Sequence, residues 1–158
     1  MKSTKKLVYK FYLQEGLCRN GDVGDQKRNK DRSTSIIASD IGNPWFSRLI
    51  LLHEFLENLL CEFNGISEEE LDAFDKWFEA EKAAGRIPKN ASAGYHPKAP
   101  YGPFHRFIEA GPELLTCKEL GFTWKQYDRA ILRFMKKMES PKVKGMKTQQ
   151  FTNRARRD

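Results

Sequence analysis

The chain has 158 residues, of which 39% are hydrophobic, which suits one domain with a single buried core. No run approaches the ~18 apolar residues of a membrane span, and no apolar signal core follows the basic start Met1-Lys2-Ser3-Thr4-Lys5-Lys6. A cytoplasmic protein without membrane contact is expected. Three scattered cysteines (Cys18, Cys61 and Cys117), with no Cys-x-x-Cys pair, exclude a thiolate zinc finger and argue against a disulfide framework.

The net charge of +7 is unevenly spread. Residues 140–158 hold three Lys and three Arg against one Asp, and residues 26–32 form a second basic cluster. The stretch from Glu54 to Glu81 is acidic. Basic charge gathered in tails and loops fits contact with nucleic acid, and a solubilising end is the plainer reading. Lys142, Lys144, Lys147, Arg154, Arg156 and Arg157 are the candidate nucleic-acid contacts.

Residues 6–13 are rich in β-branched and aromatic side chains and predict a strand. Residues 14–32 are polar and glycine-containing and predict a loop. Ser33 to Ile41 predicts a second strand that pairs with the first as a hairpin. Asn43-Pro44 then starts a helix, because Asn caps free N–H groups and Pro suits the first helical position. That helix runs to about Phe63 and stops at Asn64-Gly65. Ser67 with Glu70 forms a capping box for a helix over 68–84, whose apolar face is Leu71, Phe74, Trp77 or Phe78, and Ala80. The stretch 88–103, with four prolines and Gly94, predicts a long loop of the kind that is often functional. Tyr95 and Tyr101 on it either line a cleft or pin the loop to the core. A third helix covers about 104–120, broken or kinked at Gly111-Pro112. Thr123 with Gln126 caps a fourth helix that ends near Met138, with Tyr127, Ile131, Phe134 and Met135 or Met138 facing inward.

The fold expected is α+β and mostly α. An N-terminal β hairpin (6–41) packs on about four helices (44–139) in one globular domain over 1–139, followed by a flexible basic tail over 140–158.

The helix from Pro44 is apolar almost all round, which predicts burial, yet it carries His53, Glu54 and Glu57 near its centre. Charged groups are rarely buried unless paired or bound to a metal. His53 and Glu57 are four residues apart and share a helix face. Imidazole and carboxylate together suit a divalent metal, with zinc first and iron or manganese as alternatives. Glu54 stands where the zinc-peptidase pattern His-Glu-x-x-His places the base that activates metal-bound water. Here Glu57 replaces the second histidine, which adds negative charge and lowers the metal's Lewis acidity. Further ligands must come from elsewhere. His105 follows the proline-rich loop and is the leading candidate, with Asp75 fourth. Asp72, His96 and Glu109 are in reserve, and Glu109 repeats the His-x-x-x-Glu spacing after His105.

Gly42-Asn43-Pro44-Trp45, His53-Glu54-Phe55-Leu56-Glu57, Cys61, Gly65-Ile66, Asp72-Ala73-Phe74-Asp75 and Phe78-Glu79 occur in an order that resembles a group of small phage and prophage proteins. Pro97-Lys98-Ala99-Pro100-Tyr101 and His105 resemble a later segment of the same group, so the likeness spans about residues 40–125. The chain departs from the pattern at Tyr95-His96-Pro97, where acidic residues are expected. The resemblance implies a phage origin and supports His53, Glu57, Asp75 and His105 as a set, and it implies no activity. Two readings follow. One is a phage-encoded, metal-dependent hydrolase of peptidase type. The other is a non-enzymatic phage accessory protein that binds a host protein or nucleic acid, with the His/Glu cluster structural.

Overall fold

The computed structural model describes residues 7–139. The basic tail and its candidate nucleic-acid contacts lie outside them. An N-terminal three-stranded sheet is followed by helices, so the α+β, mostly helical class holds. The strands are β1 (Tyr9–Gln14), β2 (Gly24–Arg28) and β3 (Thr34–Ser39), in spatial order β1-β3-β2.

The expected hairpin between the first strand and Ser33–Ile41 does not form; the hairpin observed joins β2 and β3, which pair antiparallel from Gly24↔Ala38 to Arg28↔Thr34. The first strand instead lies parallel to β3, from Tyr9↔Thr34 to Gln14↔Ser39. The expected loop over 14–32 therefore contains a strand. The reason is local: β2 reads Gly-Asp-Gln-Lys-Arg, polar throughout, and it occupies a sheet edge, so no apolar pattern marks it as a strand. Its turn also lacks a glycine signature, because the left-handed position is filled by Arg32 (φ 66°). The parallel pair is possible because residues 15–33 provide a crossover long enough to bring the chain back.

Helix α1 (Pro44–Phe63) starts as expected, with the Asn43 side chain accepting from the backbone N–H groups of Trp45 and Phe46. It packs on the sheet, where Phe55 meets Tyr9 edge-on at 5.1 Å between ring centroids. Burial is one-sided rather than all round. Phe46, Leu49, Ile50, His53, Glu57 and Cys61 point inward, while Trp45, Leu59 and Phe63 are exposed. Two of the three polar groups of residues 53–57, His53 and Glu57, thus sit on the buried stripe itself.

Helix α2 (Glu68–Ala83) carries the Ser67/Glu70 capping box. Phe74 and Phe78 are its buried residues, and they form a small core with Ile87 and Ala99 of the long loop. Ala80, expected on that face, is exposed. Helix α3 (Gly102–Ile108) passes through a π-helical turn, Glu109–Glu113, into α4 (Leu114–Glu119). Pro112 does not break the rod, because the wider turn absorbs its missing N–H. Helix α5 (Trp124–Glu139) is capped by Thr123 and Gln126 and buries Tyr127 against Phe46, Leu49, Ile50 and Cys117. All three cysteines are free and buried, and Cys61 is a core residue.

Candidate metal centre

Three elements meet at His53. Helix α1 supplies His53 and Glu57 one turn apart, and α3 brings His105 across from them. His53 Nε2 is 2.9 Å from His105 Nδ1 and 3.4 Å from Glu57 Oε2. His105 Nδ1 is 3.2 Å from the same Glu57 Oε2. The same three atoms form every edge of this triangle. A metal bound tetrahedrally at about 2.0–2.1 Å holds its ligand atoms roughly 3.3 Å apart, so a triangle of this size could hold an ion. Among the described residues, these three are the group of His, Cys, Asp and Glu side chains that can hold a metal ion.

The other ring nitrogens are occupied. His53 Nδ1–H donates to Glu113 Oε2 at 2.8 Å, and the Tyr127 hydroxyl donates to Glu113 Oε1 at 2.5 Å. His105 Nε2 lies 3.3 Å from Glu109 Oε1, and Glu109 also accepts from the Tyr95 hydroxyl. A carboxylate behind each imidazole fixes its tautomer and turns the remaining lone pair inward. Two nitrogen lone pairs 2.9 Å apart repel unless a proton or a cation lies between them.

Burial is deep: His53, Glu57 and Glu113 are 6%, 7% and 2% exposed. Burial works against the His53 imidazolium, but Glu113 and Glu57 outweigh it and hold its pKa up at about 11. Burial is likewise overcome at His105, where Glu109 and Glu57 raise the pKa to about 9. Burial also opposes the Glu57 carboxylate, yet hydrogen bonds from His105 and His53 keep it below the usual range. In the metal-free protein the cluster is therefore held together by protons, which an incoming cation must displace.

Glu57 and His105 form part of the floor of a cleft of about 410 Å³ walled by β2, α1, α2 and the turn at 92–94. Glu54 lines the same cleft. Burial, followed by the charge of Glu57, pushes its carboxyl well above the usual range. Two glycines, expected only as loop residues, make the arrangement possible. A Cβ on Gly24 would fall 2.1 Å from Glu54 Oε1, and one on Gly94 would fall 2.5 Å from His105 Cδ2. The long loop thus contributes Gly94, which gives the His105 ring its seat.

The remaining candidates separate. Asp75 lines the cleft and accepts from the Tyr101 hydroxyl at 3.0 Å, outside the three-atom group. Asp72 lines it too, with Arg19 at 3.6 Å. Glu109 backs His105 instead of joining the triangle. His96 packs among the rings of Phe74, Trp77 and Phe78 and belongs to the small core. Of the two tyrosines, Tyr101 lines the cleft, whereas Tyr95 binds Glu109. Glu113 and Tyr127 were missed as site residues. The run His105, Glu109, Glu113 at four-residue spacing was the available signal, hidden by the expected break at Gly111-Pro112.

Comparison with known proteins adds no identity: no family model, no curated protein and no solved structure matches the chain.

Proposed function

We propose that this is a phage-encoded metal-dependent hydrolase of peptidase type, in which His53, Glu57 and His105 hold one divalent ion. The observation that carries the reading is the triangle of His53 Nε2, Glu57 Oε2 and His105 Nδ1, with carboxylates behind both rings. Two histidines and one glutamate, leaving a further position open to a cleft, are a donor set used by catalytic zinc sites. Zinc is the leading ion, with iron and manganese as alternatives. An ion there would supply Lewis acidity to a substrate carbonyl. Glu54 accepts the proton of the attacking water, a task suited to a carboxyl raised above its usual range.

Elemental analysis of untagged protein purified without added metal tests the first step, with about one ion per chain expected from a one-ion site. Occupancy under ~0.2 per chain, unchanged in His53→Ala, overturns the metal reading. Glu54→Gln tests the second step: loss of peptide hydrolysis with metal retained is the expected outcome.

One observation favours a second reading, a non-enzymatic accessory protein that binds nucleic acid. Lys125, Arg129, Arg133 and Lys136 are exposed along α5 at helical spacing. DNA binding that weakens steeply with salt and is lost in Arg129→Ala/Arg133→Ala would support it.

A further inference from the structure

The cleft over the proposed metal centre is opposite in sign to the rest of the molecule. The chain carries +7. The cleft, in contrast, is lined by ten carboxylate residues and only three lysines or arginines. Two of those three are already engaged. Arg19 is held by Asp25 at 2.7 and 2.9 Å and reaches Asp72 at 3.6 Å, and Arg28 meets Glu62 at 3.0 Å. A concave surface of one sign with low-dielectric walls focuses its field and concentrates ions of the other sign. Polyanions are repelled from such a surface.

The acids extend well beyond the metal centre. Only His53, Glu57 and His105, among the described residues, bring ligand atoms close enough together for a metal ion. Asp22, Asp25, Glu54, Asp72 and Asp75 form no second coordination set of that kind. An extended organic cation answers a spread of charge that a point ion cannot. The wall also offers apolar surface from Ile66, Leu71 and Phe78, beside Tyr101. An aliphatic stem ending in a cationic head matches both features, since such side chains lay their stems on apolar surface and keep the head among polar groups. Among the described residues, two buried acceptors of cleft-lining side chains, Gln26 Oε1 and Asn58 Oδ1, have no hydrogen-bond partner. A guanidinium, with five N–H donors and no acceptor, is the head group that matches the acceptor-only carboxylates lining the cleft.

We infer that the cleft takes the arginine or lysine side chain of a peptide, so that the substrate of the proposed hydrolase is a basic peptide. This rests on the hydrolase reading for its chemistry, but the binding itself depends on the cleft alone and is tested without metal. Three fluorescein-labelled hexapeptides, identical except for a central Arg, Ala or Glu, are titrated into the full chain in EDTA and followed by anisotropy. The Arg peptide is expected to bind at least roughly tenfold tighter than the Ala peptide, and the Glu peptide weakest. Raising the salt should shrink that gap. Asp22→Asn/Asp72→Asn should abolish the preference while zinc occupancy stays at the wild-type level. Circular dichroism of the double variant, and the salt series on wild type, separate lost charge from lost fold. Equal affinity for the three peptides, preference for Glu, or no binding by any of them overturns the inference. Selective Arg binding by a protein that takes up no metal removes the hydrolase reading and leaves the cationic cleft standing. Metal uptake without Arg selectivity does the reverse.

Discussion

The molecule contains the same short pattern twice, His53/Glu57 on α1 and His105/Glu109 across the junction of α3 with the π-helical turn, and the two glutamates do different work. Glu57 turns toward both histidines, within 3.4 Å of one and 3.2 Å of the other. Glu109 sits on the far nitrogen of its own histidine and is tied outward to Tyr95. Spacing is identical, so spacing is not what assigns the roles. The neighbours behind each histidine assign them. His53 already has Glu113 at its back, which leaves its own helical partner free to face the centre. Behind His105 the carboxylate is Glu109, four residues further along the same rod, and it takes that place. An i,i+4 His/Glu pair can therefore supply either two ligands or one ligand with its support.

Glutamine substitutions at the two positions should separate these roles. Glu57→Gln removes a ligand and its charge, and zinc affinity, measured by competition with a chromophoric chelator, should fall by more than about 100-fold, the upper range for supporting residues. Glu109→Gln leaves the ligand set intact and should lower affinity about tenfold. Equal losses at the two positions would break the comparison. Glu113→Gln belongs between them. Its carboxylate is buried, accepts from two donors and orients His53, so both effects appear together. An affinity loss of 10- to 100-fold is expected. Unfolding in EDTA should also show a loss of about 1–3 kcal/mol, because buried partners are left imperfectly paired.

Much of this was legible in the sequence where a rule depends on neighbours along one helix. The Asn43 cap, the Ser67/Glu70 and Thr123/Gln126 boxes, and the shared face of His53 and Glu57 all follow from local spacing. His105 was reachable as one of only three histidines. What escaped depends on contacts between elements. Strand β2 has no apolar alternation to announce it, because its pairing with β3 is made by backbone groups. Glu113 follows Gly111-Pro112, where the sequence predicts a break in the helix. The π-helical turn carries the four-residue run His105, Glu109, Glu113 through the Gly-Pro, so the run has meaning only once that turn is seen. Gly24 and Gly94 matter only through what approaches them from another element.

Those two glycines sharpen the comparison with a smaller effect. In Gly94→Ala the new methyl group meets the His105 ring, which is held between Glu57 and Glu109 and has little freedom to move. Overpacking of this kind destabilises by about 1–3 kcal/mol, and metal affinity should fall with it. In Gly24→Ala the obstacle is the carboxylate end of Glu54, a flexible terminus that can swing aside. Metal content should stay near wild type while hydrolysis drops. If Gly24→Ala loses metal instead, Glu54 belongs to the ligand set and not to the base role.

The smallest effect concerns Asp75, the predicted ligand that lies outside the triangle. Burial raises its pKa to about 6, the Tyr101 hydroxyl bond opposes that, and the charges of Asp22, Glu57 and Asp72 add to it. Its unfolded value is the ordinary one near 3.9. Because the folded value is the higher one, the folded state takes up a proton that the unfolded state does not as pH falls through about 6. This group therefore destabilises the metal-free protein at pH 7, and the penalty fades between about pH 6 and 4. Solvent screening in an open cleft limits the gain to at most about 1 kcal/mol, roughly 3 °C in Tm. Thermal unfolding in EDTA at pH 7.5 and pH 5.5 measures it, with Asp75→Asn as the reference in which this contribution is missing. A difference between wild type and Asp75→Asn that stays constant across that range would place the carboxylate in a well-solvated setting. Asp75 would then have no part in the repulsion that distinguishes the cleft from the two histidine–glutamate pairs beside it.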